Sequence, residues 1–195
     1  MRSESACFLA CTFSPKFGSL HLLRSGSQCL YPRPVWVIQM KFEIVLTSVQ
    51  QEAANSLLNS LAVSPVSVLG GAAGVGKTTI LKSVQSMRGG VYLGAPQLMD
   101  VRQVQGPAAI EETFFRMIED AIERHDLVLV DDLNLVTDAA RAGGDGRLHL
   151  LDAALTAILA EARVLGRKLV FAVEAKIPWP IRRRAQIIEV ANLDD

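Results

Sequence analysis

Past residue 29 the chain has no cysteine; Cys7, Cys11 and Cys29 all lie near its start. No disulfide framework can therefore hold the remainder together, which fits a reducing compartment such as the cytoplasm. Cys7 and Cys11 have a spacing found in metal sites. Structural zinc, however, takes closely spaced ligand pairs on both sides, and Cys29 with a distant histidine does not supply the second pair. Neither sign of charge is in excess, with 20 Lys and Arg against 20 Asp and Glu. Overall charge thus gives no reason to expect a nucleic acid or an anionic membrane as partner, and only a local basic patch stays open. No apolar run is long enough to cross a bilayer. There is no internal repeat. What the chain does have is apolar residues, 50% against 21% charged, enough for a buried core and too many for wholesale disorder.

Residues 1–39 differ from the rest. They are rich in Ser and carry Arg2, Lys16, Arg24 and Arg33 against one acid, Glu4. Acid-poor leaders of this kind resemble organelle transit peptides. An unstructured extension ahead of a natural start at Met40 explains them equally well. Either way the folded core is expected to occupy residues 40–195, with 1–39 poorly ordered.

Along the core, Ala53, Leu57, Leu58 and Leu61 recur at helical spacing and predict a helix over 48–62. "PVSVL" (65–69) reads as a buried strand that runs into glycine, and Lys77–Met87 as a helix stopped by Gly89 and Gly90. "VYL" (91–93) is a short strand. Pro107 is placed to open a helix whose apolar face is Ile110, Phe114, Met117, Ile118, Ala121 and Ile122. "LVLV" (127–130) is continuous and apolar, as suits a central parallel strand covered on both faces. "DAARAGGDGR" (138–147) reads as a loop, followed by a helix on Leu148, Leu151, Leu155, Ile158, Leu159 and Ala162. "KLVFAV" and "QIIEV" are two further strands. Strands alternating with helices predict an α/β domain with a mostly parallel sheet.

One loop in this pattern carries chemistry. Gly71-Ala72-Ala73-Gly74-Val75-Gly76-Lys77-Thr78 has the G-x-x-x-x-G-K-[ST] spacing, between a predicted strand and a predicted helix. Such a turn points several backbone N–H groups at one place, beside the positive end of a helix, and so favours an anion. Glycine allows the close approach. Lys77 would bring a compact cation to the β- and γ-phosphates of a nucleotide, Thr78 a hydroxyl to Mg²⁺, and Thr79 a further phosphate contact. Mg²⁺ keeps several waters and needs few protein oxygens, so Asp131 at the tip of the apolar strand suffices as its carboxylate. Asp132 is placed to orient or deprotonate an attacking water. It is equally placed to cap a helix beginning in "DDLNLV", and the two roles are compatible.

In this order the pieces resemble the AAA+ ATPases, from about Ala62 to Asp195. "GGAAGVGKTTI" is similar to their phosphate loop, the Walker A motif, and "LVLVDDLN" to their acidic Walker B motif. "GVYLGAPQLMD" with "GPAAIEETFFRMIEDAI", and then "KLVFAVEAKIPWPIRRRAQIIEVANLDD", follow in the family's order. The resemblance implies a three-layer P-loop NTPase sandwich with strand order 5-1-4-3-2, ATP and Mg²⁺ as ligands, and assembly into homo-oligomeric rings or arcs. It also places Arg182, Arg183 and Arg184 where the family carries an arginine that reaches a neighbouring subunit's nucleotide, with Arg183 or Arg184 preferred. A solvated basic turn is the plainer account of the same three residues.

Several departures narrow the expectation. Asp132 stands where the family usually has Glu. The polar residue ending the fourth strand would be Glu174 or Ala175, neither a standard replacement. "VRQVQG" has Gln103 and Val104 where threading members place an aromatic residue. The chain stops at Asp195, where a helical lid would begin. The resemblance implies an ATPase that remodels an unidentified protein or nucleic-acid partner; the missing aromatic favours a loader, initiator or regulator, while Asp132, Ala175 and the missing lid favour the alternative. The alternative is a nucleotide-gated switch with little hydrolysis. A small-molecule kinase of the P-loop group would need an acceptor site and a basic lid, which are not evident, and a GTPase would need an Asn-Lys-x-Asp segment, which is missing.

Overall fold

A computed structural model describes residues 44–98, 100, 110–174 and 176–191. The leader with its cysteines, Gln103 and Val104, Pro107, Ala175 and residues 192–195 lie outside the described residues.

The first element, α1 (Ser48–Val63), starts at a reciprocal cap. Thr47 accepts from the Gln50 backbone, and the Gln50 side chain accepts from the Thr47 N–H at 3.1 Å. Next come β1 (Val66–Gly70), α2 (Lys77–Arg88), β2 (Val91–Leu93), α3 (Ile110–Arg124) and β3 (Leu127–Val130). The chain continues through α4 (Leu133–Ala142), α5 (Asp145–Val164), β4 (Lys168–Val173), α6 (Trp179–Arg182) and β5 (Gln186–Glu189).

The five strands form one sheet in the order β2-β3-β4-β1-β5, and every pairing is parallel. Read from the other edge, this is the expected 5-1-4-3-2. The core strands are buried on both faces because successive side chains serve opposite layers. Val66, Val68, Val128, Val130, Leu169 and Phe171 pack with α3, α4 and α5. Leu69, Leu127, Leu129, Val170 and Ala172 pack with α1 and α2. Each fully buried side chain of this size contributes about 1.5–3 kcal/mol, so the sheet is held by two hydrophobic layers rather than one.

The loop expected over 138–147 is not there. The chain is helical up to Ala142 and again from Asp145, and only Gly143 and Gly144 interrupt it. Leu133, Val136, Thr137 and Ala140 are buried at one helical spacing, which anchors α4. Composition misleads here because the glycines cluster at one point, while Ala and Arg on either side are good helix formers.

Candidate functional site

In an open parallel sheet, ligands sit beyond the carboxyl ends of the strands. Here β1 and β3 flank β4, so the turn after β1 and the acids after β3 project from the same end of the sheet. The turn after β1 is open: Ala72, Ala73, Gly74 and Thr78 are exposed. Gly74 has φ 85° with nothing within 4 Å of where a Cβ would stand, so only its backbone conformation calls for glycine. Gly76 has φ 93°, and a Cβ there would lie 2.2 Å from the Gln50 amide nitrogen. That nitrogen donates to the Val75 carbonyl at 3.1 Å, so α1 holds the turn from behind while Val75 itself is buried.

Lys77 opens α2 and is 7% exposed. Its Nζ donates to the carbonyls of Gly71 and Ala72 at 2.9 and 2.7 Å, and Glu174 Oε1 lies 3.9 Å away. The ammonium is thus folded back over the turn. Glu174, just past β4, is exposed, and its N–H donates to Asn134 Oδ1 at 3.2 Å, tying the strand end to the first turn of α4.

The acidic side is built on β3. Asp131 is 3% exposed, and its N–H donates to the Leu93 carbonyl at 2.7 Å, extending the sheet by one bond. Its Oδ2 accepts from the Thr78 hydroxyl at 2.6 Å and from the Tyr92 hydroxyl at 2.8 Å; Oδ1 accepts from the Asp132 N–H at 3.0 Å. Thr78 and Asp131, 53 residues apart in the chain, therefore meet directly. Burial above all, then the hydrogen bond to Asp131 and the charges of Asp131 and Asp132, push the Tyr92 phenol well above its usual range, with Thr78 opposing weakly. At neutral pH it remains a donor.

Asp132 occupies the N-cap position of α4 at φ 55°, but its side chain makes no cap bond there. Its Oδ2 instead accepts the Ala95 N–H at 3.2 Å, in the turn after β2. Asp is among the few residues that tolerate the left-handed region, so the backbone at this point suits Asp better than Glu.

Arg182, Arg183 and Arg184 are exposed. They precede Gln186, which pairs with Ser67, whereas the phosphate-loop candidate follows Gly70 at the other end of β1. Arg182 lines a pocket with Lys176, Ile177 and Glu189, and Glu189 pairs with Gly70 where the loop begins. Arg183 stacks over the Trp179 ring, 5.4 Å from its centre.

Thr78 and Asp131 offer a hydroxyl and a carboxylate oxygen, the hard donors that suit Mg²⁺ and leave room for its waters. Among the described residues no group of three or more His, Cys, Asp or Glu gathers that could hold another metal. Three participants went unread in the sequence. The Thr47-x-x-Gln50 spacing signals a capping box, but not the reach of Gln50 to Val75. Nothing in "VYL" signals that Tyr92 meets Asp131, and nothing in "DDLNLV" that Asn134 meets Glu174.

No protein-family model and no curated protein matches the chain. Several solved structures have a similar backbone course. A replication initiator DnaA bound to AMPPCP and single-stranded DNA is 16% identical with a TM-score of 0.49, over 77% of this chain and 48% of its own. Domain III of the Thermotoga maritima replication initiation protein DnaA is 14% identical with a TM-score of 0.49, over 75% of this chain and 64% of its own. AMPPCP-bound DnaA from Aquifex aeolicus is 16% identical with a TM-score of 0.47, over 74% and 46%. The chain spans between about half and under two thirds of the length of these proteins.

Proposed function

We propose that this chain binds ATP with Mg²⁺ and hydrolyses it, using the cycle to remodel a partner. The observation that carries the reading is the 2.6 Å contact between Thr78, at the start of α2, and Asp131, at the tip of β3. A hydroxyl from the anion-binding turn and a buried carboxylate from the end of β3, across β4, form one hard-oxygen corner, beside a lysine and an open glycine turn. In this reading the amides of Gly71, Ala72, Ala73, Gly74, Val75 and Gly76, with Lys77 and Thr79, hold the phosphates, and Thr78 and Asp131 hold Mg²⁺. Lys77 gives up the Gly71 and Ala72 carbonyls to a phosphate. Bound Mg²⁺ supplies charge neutralisation at the phosphates. Asp132 orients the water, and Arg183 or Arg184 acts on a neighbouring copy in a ring or arc.

The 3.2 Å bond from the Ala95 N–H to Asp132 favours a second reading. A carboxylate oxygen already held by a backbone N–H is not free to turn to a water, and the chain then serves as a nucleotide-gated switch with little turnover. Phosphate release from ATP separates the two. The enzyme reading expects turnover that the Lys77→Ala variant loses. The switch reading expects ATP binding with turnover no greater than that variant. A protein that neither binds nor turns over ATP contradicts both.

A further inference from the structure

We propose that Tyr92 is a positioning residue for the metal corner: its hydroxyl holds the Asp131 carboxylate so that Asp131 and Thr78 address the same cation. This rests on the magnesium–nucleotide reading above and adds to it a residue that no loop or acidic motif contains.

Asp131 has three donors around it, namely Thr78 and Tyr92 on Oδ2 and the Asp132 N–H on Oδ1. They are not equivalent. Thr78 is exposed, and its hydroxyl is the group that would turn a lone pair to a cation. The Asp132 N–H is backbone and steadies the opposite oxygen. Tyr92 is the side-chain donor to Oδ2 that remains once Thr78 has turned.

Tyr92 is also well placed to stay put. It lies on β2 opposite Leu129 of β3, and its ring packs against the layer formed with α1 and α2. Lys82 of α2 sits over the ring with Nζ 5.5 Å from its centre. A strand, rather than the exposed turn after β1, thus sets the direction of the carboxylate. Partners of this outer kind orient ligands and tune metal affinity. A purely structural Tyr–Asp bond would share this geometry, and metal dependence tells the two apart.

The test uses the full chain and a fluorescent ATP analogue, titrated with MgCl₂ or measured in EDTA, for wild type, Tyr92→Phe and Asp131→Asn. Removing only the hydroxyl is expected to raise the Mg²⁺ concentration for half-maximal tightening by about tenfold, the low end for loss of such a partner. Affinity in EDTA should stay unchanged. Asp131→Asn should lose most of the Mg²⁺ response. A Tyr92→Phe midpoint equal to wild type overturns the inference while leaving the magnesium reading intact. Equal weakening with and without Mg²⁺ also overturns it, as the mark of a structural bond. A wild type that binds without any Mg²⁺ response sinks the magnesium reading, and the role of Tyr92 with it. Thermal unfolding in EDTA checks that the variants are folded.

Discussion

Gly76 and Gln50 are a pair that the local motif does not reveal. Gly76 is required twice, by its φ of 93° and by the Gln50 amide 2.2 Å from a would-be Cβ. Since the obstructing atom is the end of a flexible side chain, Gly76→Ala should push Gln50 off the Val75 carbonyl instead of failing to fold. The single change should then cost the backbone strain of a non-glycine residue, about 1–2 kcal/mol, plus the lost hydrogen bond, about 1 kcal/mol. Gln50→Ala alone should cost the bond and its half of the capping box. In the Gln50→Ala background, Gly76→Ala should cost only the strain, so the two effects will not add. Chemical denaturation of the four proteins measures this, and strict additivity would show that the residues do not interact. The spacing in "GAAGVGKT" announced which residues form the turn. It could not announce what stands behind them, because Gln50 and Val75 meet only through the packing of α1 against β1. Asp132 shows the same limit: the acid was evident, but its left-handed backbone and its bond to Ala95 depend on how the chain leaves β3 and β2.

Among the elements, those with one uninterrupted signal were readable. Apolar runs such as "LVLV" and "KLVFAV" could be assigned as central strands because burial on both faces removes the need for alternation. The start of α4 is legible as a helix beginning in "DDLNLV", but its last residues, 138–142, run directly into two glycines and read as part of their loop. The distinction is measurable at Ala139, in the last turns of α4. Ala139→Gly should lower stability by about 1 kcal/mol in a helix, whereas in a loop it should change stability little. A shift in the unfolding midpoint of about 2–4 °C is the expected size for a chain of this length. No shift would argue that this segment is irregular. α4 matters to the site as well, since Asn134 in its first turn holds the Glu174 N–H at the end of β4.

At the scale of the whole molecule, the candidate site lies at the carboxyl end of β1, and Arg182, Arg183 and Arg184 are exposed in the connection ahead of β5. An exposed arginine cluster can serve a neighbouring copy's site, which is the reason to look for assembly. Arg183→Ala with Arg184→Ala should leave ATP binding by dilute protein unchanged. It should remove any rise in turnover per chain as protein concentration increases, and turnover that is independent of concentration in wild type would speak against a shared site. Net charge was informative only negatively: a balance of 20 against 20 gives no electrostatic pull toward nucleic acid. Among the described residues no helix is long and apolar enough to cross a membrane. If one end of this sheet grips an adenine nucleotide through Mg²⁺, calorimetric titration of ATP and GTP, each with Mg²⁺ and with EDTA, will show it. The expected result is saturable ATP binding that tightens with Mg²⁺, exceeds GTP binding, and is lost in Lys77→Ala. Absence of ATP binding, or binding that Lys77→Ala leaves untouched, would contradict it.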